Sequence, residues 1–433
     1  MLKSRGTKTL TIVAALAALA LPIAGCGSGG SSSGGVVEIS FWDGQSQTVQ
    51  KTVDRLVAEF NRTHPHIHVS TGGVNAESML QKVTAGLQAG DTPDIAYIYG
   101  ADIAHLASSN SLLDLDEAAH DGELEWDKFQ PAAQQAATVN GRIRAVPALI
   151  DNLAVVYNKK LFRAAKVPYP SNNWSWEEFA ADAKRLTNSA TGVVGAAWPG
   201  TGAEDTTWRI WPIVWQLGGQ IVEPDGKHVG FAGRSGEQAL AFVRKLSAEE
   251  HSLYIDTSAT SERQYQVFST GKMAMSVTGP WQLPEFVEHH IEYGVAELPS
   301  FNSQHTTISG PDVWAILNHG SARSKAAVEF INWFTAPRQN LIWDAADGSL
   351  PTRVDVQTQP GYQHYVNSLP DLEAFVKNLA NAKVRPTITA YPGISQAIGQ
   401  AIAEMLYGRS TPQAALQKAV SAGNAALSES GVP

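Results

Sequence analysis

Only one cysteine, Cys26, occurs in the 433 residues. No disulfide can form within the chain, so a folded body must be held by its core alone. After the first residues, no apolar run is long enough to cross a bilayer. No segment repeats at a fixed period. Basic residues are in the minority: 32 Lys and Arg stand against 41 Asp and Glu, a formal net charge of −9. A surface of that sign repels polyphosphate backbones and anionic lipid, so neither nucleic acid nor a charged membrane surface is expected as a partner.

Catalytic signatures are equally scarce. There is no His-Glu-x-x-His. Ser269-Thr270-Gly271-Lys272 has the Ser-x-x-Lys spacing of penicillin-recognising enzymes but no Ser-Asp-Asn or Lys-Thr-Gly to accompany it. The same Gly271-Lys272 is no phosphate loop, because Gln266 stands at the first glycine position and Met273 at the hydroxyl position. His64, His66 and His68 suggest a metal site, but no carboxylate or thiolate nearby in sequence completes a ligand shell. Alternation puts His66 and His68 on one face of a strand, and a solvated strand edge is the expected place for them. Two of the many carboxylates could face each other as in a glycosidase. The same groups would serve a sugar-binding site without turnover, since a carboxylate accepts paired hydrogen bonds from vicinal hydroxyls.

What is present begins with an export pattern. Lys3, Arg5 and Lys8 give a positive start, and Leu10 to Ala20 a short apolar stretch. Ile23-Ala24-Gly25-Cys26 reads as a lipobox, with Cys26 as the acylated residue and cleavage before it. Gly27 to Gly35 is all Gly and Ser, a flexible tether. The remainder is too long for one compact core and predicts two domains.

From Val36 onward the pattern is α/β. Val37 to Phe41 alternates as a half-buried strand. Val49, Val53, Leu56, Val57 and Phe60 then line one helical face. His66 to Val69 returns to strand alternation, Met79 to Leu87 is helical, Asp94 to Ile98 is a third strand, and a helix begins over Ile103 to Ala107. This alternation implies a parallel sheet flanked by helices, with ligands beyond the carboxyl ends of its strands. Asp43-Gly44-Gln45 and Tyr99-Gly100-Ala101-Asp102 occupy such positions. A second block follows, with a strand at Ala154 to Tyr157 and a helix to Leu186 opened by a capping box, Ser175-Trp176-Glu177-Glu178. Thr411-Pro412 opens a later helix. Without a long linker between the blocks, the domains are expected to exchange strands and share a multi-stranded hinge.

The chain has 12 tryptophans. An indole covers the C–H face of a pyranose while Asp, Asn, Gln and Arg take the hydroxyls, so the count points to carbohydrate. Trp198, Trp208, Trp211 and Trp215 crowd one segment, and Trp281 and Trp314 lie in later ones. Trp211 and Trp215, one turn apart, are expected to pack, as are Trp333 and Trp343. Trp208 and Trp281 stand at loop-like positions and are the expected platforms.

Pro93-Asp94-Ile95, Tyr157-Asn158-Lys159 with Leu161-Phe162, Gly271-Lys272-Met273-Ala274-Met275 and Gly279-Pro280-Trp281 follow one another behind the lipobox. In this order and spacing they resemble the family-one extracellular solute-binding proteins, the group that contains the maltodextrin-binding proteins. The resemblance runs from about Glu38 to about Gln417. It implies a two-lobed type II periplasmic-binding-protein fold, with a multi-stranded hinge and a sheet flanked by helices in each lobe. The divisions are a signal peptide at 1–25, an anchor and linker at 26–35, lobe one at 36–148 plus 310–347, and lobe two at 149–309 plus 348–433.

The resemblance also implies function. Such a protein is a monomer on the outer face of the membrane, held there by its lipid alone, without cofactor or metal. It captures a di- or oligosaccharide by closure and delivers it to the permease subunits of an ABC importer. It is not an enzyme. Trp281 and Trp208 fall on sugar-facing aromatics, Asp151 on a carboxylate that bonds hydroxyls, and Asp102, allowing one inserted residue, on the acid after the third strand. Gln45 stands where the family supplies an Asp and a Lys, so the charge differs. Asp312 and Arg353 are hinge-side candidates. Ser395 stands where the maltodextrin binders place an aromatic, a departure from a maltodextrin site. Arg385-Pro386 with Tyr391 looks more like the disaccharide and glycerophospho-ligand binders of the family. The alternatives are therefore a glycerophosphodiester or glycerol-phosphate binder, with Arg353 and Arg385 pairing the phosphate, and a surface glycoside hydrolase.

Overall fold

The computed structural model describes residues 35–431 except 46, 172 and 302. The export pattern, Cys26 and most of the tether lie outside that range. No helix among the described residues is long and apolar enough to cross a membrane.

Two α/β halves make up the body. The first is built on a five-stranded sheet. Val37–Trp42 pairs in parallel with Ile67–Gly72 on one side and Ile95–Tyr99 on the other. A late strand, Asp312–Ile316, then runs antiparallel to both Ile95–Tyr99 and Val146–Leu149. The helix Gln47–Thr63 follows the first strand, and Val49, Val53, Leu56, Val57 and Phe60 bury one face against the sheet, as their spacing requires. The second helix, Ala76–Ala89, starts three residues earlier than the periodicity alone indicates. Asn75 caps it, its side chain accepting from the Glu77 amide, and Gly90 ends it in the left-handed conformation. His66 and His68 are both exposed, the latter on the edge strand, and His66 Nε2 lies 3.0 Å from Glu329.

In the second half Ala154–Asn158 lies between two antiparallel neighbours, Met275–Thr278 and Tyr293–Ala296. Ala196–Pro199 pairs in parallel with Leu253–Asp256. The predicted capping box is present: the Glu178 amide donates to Ser175 Oγ, and the Ser175 amide donates to Glu178 Oε2 at 2.7 Å. It opens the helix Trp176–Leu186, whose buried face carries Trp176, Phe179, Ala180 and Ala183. The helix Pro412–Glu429, capped by Thr411, packs on Tyr391–Leu406, and both bury their apolar faces in this half.

The apolar residues separate into clusters. One contains Leu149, Val313 and Trp343, another Leu153 and Ile308, and a third Ile150 and Leu350. The chain thus passes from one cluster to another near 149–153, 308–313 and 343–350. These passages touch: Ile150 bridges Leu350 and Asn152 bridges Ser309. This is the expected multi-stranded connection.

Candidate functional site

Beside these passages lies a cavity of about 200 Å³. The first half contributes the carboxyl ends of its strands. Gly44 and Gln45 follow Val37–Trp42, Asn75 and Glu77 follow Ile67–Gly72, and Tyr99 ends the third strand. Ligands gather at this edge of an open α/β sheet because the loops there diverge and expose backbone donors. Asp43 shapes the first loop: fully buried, it accepts from the Gln45 amide at 3.1 Å and from Gln50 at 3.1 Å. Tyr99 donates its hydroxyl to Glu77 Oε1 at 2.8 Å, which turns Glu77 across the cavity. Burial first, and then the carboxylate of Asp205 opposite, push the Glu77 carboxyl up to about 8.

The second half supplies the aromatics. Met275–Thr278 ends at Gly279, and Pro280-Trp281-Gln282 makes one turn of 3-10 helix. Trp281 sits over Gly279, where a Cβ would lie 1.7 Å from the indole. Trp281 stacks on Trp208, with ring centroids 5.5 Å apart and planes at 30°. Trp208 is not in a loop, as its neighbours suggested. It ends the short helix Glu204–Trp208 and is 7% exposed, so only part of the ring faces the cavity. Arg209, fully buried, fixes this corner. It donates to the carbonyls of Val277 (2.9 Å) and Asp205 (2.8 Å), to the Tyr265 hydroxyl (2.9 Å), and to the Asp205 carboxylate. Asp205 and Tyr265 both lie on the cavity wall.

At the passages stand Asp151, Asp312 and Arg385. Asp151 Oδ1 accepts the Gly310 amide at 3.1 Å. Asp312 accepts from the Tyr97 hydroxyl and from the Gly100 amide. Burial pushes the Asp151 carboxyl well above the usual range, and Asp312 up to about 7 although Arg385 pulls it down. Arg385 donates to Glu204 at 2.8 Å and lies 3.8 Å from Asp312, so one cation ties both halves.

Six of the nine residues singled out in the sequence therefore line one cavity: Gln45, Asp151, Trp208, Trp281, Asp312 and Arg385. Three do not. Tyr391 is fully buried behind the wall, where it donates to Glu204 Oε1 at 2.7 Å and accepts from Trp211. Asp102 is buried nearby, its carboxyl raised by burial and by Glu204. Arg353 is elsewhere, enclosed by Asp355 and Glu125 at 2.7 Å each and stacked over Phe129. It therefore has no free charge for a phosphate. Tyr99, marked by its place at the end of the third strand, also lines the cavity, whereas Glu77, Glu204, Asp205, Glu262, Tyr265 and Asp347 line it and were not singled out. For Glu77 the strand-end rule that marked Gln45 would have sufficed. The acids of the Glu204-Asp205 pair lie within one helical turn of Trp208. Asp347 carries no local signal.

A second cavity, of about 800 Å³, lies on another side of Arg385, among Gly100, Trp215, Gly219, Ser309 and Lys383. It is larger, but its described lining includes no carboxylate and one tryptophan, so the smaller cavity has the chemistry for hydroxyl recognition. The remaining catalytic candidates are dispersed: Ser269 donates to Glu285, and Lys272 to the Thr191 carbonyl. No group of three or more potential ligands among the described residues could hold a metal ion.

Residues 44–341 match the model of a family described as bacterial extracellular solute-binding protein. The sn-glycerol-3-phosphate-binding periplasmic protein UgpB of Yersinia pseudotuberculosis is 22% identical over 420 residues, covering 90% of this chain and 92% of that protein. Among solved structures, the GacH receptor of Streptomyces glaucescens, studied unliganded and with acarbose and an acarbose homolog, superposes with a TM-score of 0.80 at 24% identity. It covers 91% of this chain and 99% of its own. The cyclic α-maltosyl-1,6-maltose binding protein of Arthrobacter globiformis gives 0.71 at 26% identity, covering 91% and 100%. The shared fold is that of the type II periplasmic binding proteins.

Proposed function

Because the chain belongs to the family of bacterial extracellular solute-binding proteins, we propose that it is the ligand-capturing subunit of an ABC sugar importer, anchored outside the cell through Cys26. The observation that carries the sugar reading is the stacked Trp208–Trp281 pair set among carboxylates and tyrosines in one cavity. An indole face takes the apolar face of a pyranose, and the acids take its hydroxyls. Similar proteins fit this reading, since the GacH receptor is known in complex with acarbose and an acarbose homolog, and the Arthrobacter protein is a cyclic α-maltosyl-1,6-maltose binding protein. The binding groups come from both halves, so a ligand that touches both favours the closed arrangement, and that closed form is what a permease can recognise. The division into lobes at 36–148 plus 310–347 and 149–309 plus 348–433 belongs to this proposal. The protein acts without turnover.

The second reading, a glycerol-phosphate or glycerophosphodiester binder, is favoured by the likeness to UgpB. Against it, Arg353 lies outside the cavity and Arg385 is already paired with Glu204. Calorimetry with maltose, trehalose, maltotriose, glycerol 3-phosphate and sn-glycero-3-phosphocholine separates the two. Saturable binding of a sugar without hydrolysis supports the first. Binding of the phosphate compounds alone overturns it, and release of monosaccharide makes the protein a hydrolase.

A further inference from the structure

The charge of the cavity is out of balance. Among the described residues seven carboxylates line it, and Arg385 is the only lining cation. Glu204 and Asp312 share that arginine, and Asp205 is held by Arg209 behind the wall. Glu77, Asp151, Glu262 and Asp347 have no cationic partner within 4.0 Å among the described residues. Leaving ionised carboxylates in such a place without a counter-charge is costly, and an acid there keeps its proton unless a cation replaces it.

Three wall groups also carry a polar atom that makes no hydrogen bond among the described residues. Asp347 is 6% exposed, and its Oδ2 accepts nothing among the described residues. Trp208 is 7% exposed, and its Nε1 donates to nothing. Glu77 Oε2, shielded from water, is also without a donor. Buried polar groups of native proteins are nearly always satisfied, so each of these atoms has hydrogen-bonding capacity to spare beside the cavity. The two oxygens require donors, and the indole nitrogen requires an acceptor such as a hydroxyl.

We propose that the ligand of this cavity is a basic sugar, a di- or oligosaccharide carrying a protonated primary or secondary amine. An ammonium brings several N–H donors and the positive charge that the four unpaired acids lack. Trp208 already carries the Arg385 guanidinium over its ring, and the Trp281 indole beside it favours a cation over a neutral group at the same place. The sugar hydroxyls supply acceptors for the indole nitrogen. A phosphate-bearing ligand meets the opposite field. This inference rests on the sugar-binding reading and narrows it.

The test uses matched pairs on the full chain near neutral pH, by calorimetry. The pairs are maltose with 6′-amino-6′-deoxymaltose, trehalose with 6-amino-6-deoxytrehalose, and N,N′-diacetylchitobiose with its deacetylated dimer. In at least one pair the amine should bind roughly tenfold tighter or more, the size expected of one well-desolvated charge pair. Glu77→Gln and Asp347→Asn should each shrink that preference. A smaller ratio in every pair that binds overturns the inference and leaves sugar binding intact. An amine preference that persists undiminished in both variants also overturns it. If no member of any pair binds, the sugar-binding reading falls with it.

Discussion

The six-membered ring of the Trp281 indole lies against Gly279, two residues before it, and the indole stacks on Trp208. The Gly-Pro-Trp turn is therefore a seat for a ring: Pro280 fixes the backbone, and Gly279 leaves the room a Cβ would fill. Trp281 is half-buried and only flanks the core, whereas Trp208 is part of it. Trp281→Ala should weaken sugar binding by roughly 2–3 kcal/mol, about 30- to 150-fold, through lost burial and stacking. Gly279→Ala should do much the same by unseating the ring. The melting temperature of the unliganded protein should change little in Trp281→Ala. A large loss of stability with affinity preserved would show that the indole serves the core.

Arg209 should be a positioning residue for the site. It holds Asp205 and Tyr265 on the wall while making no contact with the cavity itself. Arg209→Met leaves Asp205 without its cation and should cost about 3–5 kcal/mol in urea unfolding. Folded variant protein should also bind sugar more weakly. Wild-type stability in the variant would refute this role.

Stability of the empty protein should fall with rising pH. Burial and Asp205 raise the Glu77 carboxyl from 4.5 to about 8, and burial raises Asp312 to about 7 and Asp347 to about 6. A carboxyl raised in the folded state binds its proton more tightly there than in the unfolded chain. Its contribution is complete below the unfolded value and is lost as pH climbs through the folded one. Melting curves between about pH 5 and about pH 9 should show a steady decline for this reason. Glu77→Gln should flatten it. A profile that rises over that window contradicts the assignment.

Cys26→Ser should move the protein from the membrane to the soluble fraction and leave its melting temperature unchanged. Intact-mass measurement of membrane-extracted wild-type protein checks the premise: a mass without added acyl chains removes the anchor.

Local chemistry was legible in the sequence. The capping box at Ser175, the Thr411 cap and the buried stripe from Val49 to Phe60 need only neighbours within a turn, and each is where its pattern puts it. Trp208 was misplaced because five residues are too few to show helical periodicity. The site was legible where a strand end or a turn marks it, as at Gln45 and Trp281. Glu77 was missed although it follows a strand in the same way. Asp347 and Tyr265 owe their positions to chain crossings and to Arg209, relations among residues far apart in the sequence. Arg353 looked like a phosphate ligand because sequence cannot tell a free guanidinium from one already enclosed by Glu125 and Asp355.

The strand Asp312–Ile316 sits inside the first sheet, between Ile95–Tyr99 and Val146–Leu149, pairing Ile316 with Ile95 and bringing Asp312 to the Tyr97 hydroxyl, 215 residues away. Among the described strands, Val146–Leu149 is attached to that sheet only through it. The residues up to 149 therefore cannot complete their own sheet as they emerge. They must wait, unfinished, until the whole intervening half has been delivered. Pairing over such a separation is slow, because the loop must close before any contact rewards it. A fragment ending near residue 300 should stay incompletely assembled however long it is given. Maturation of this protein is thus timed by the arrival of five late residues and not by the length of its first half.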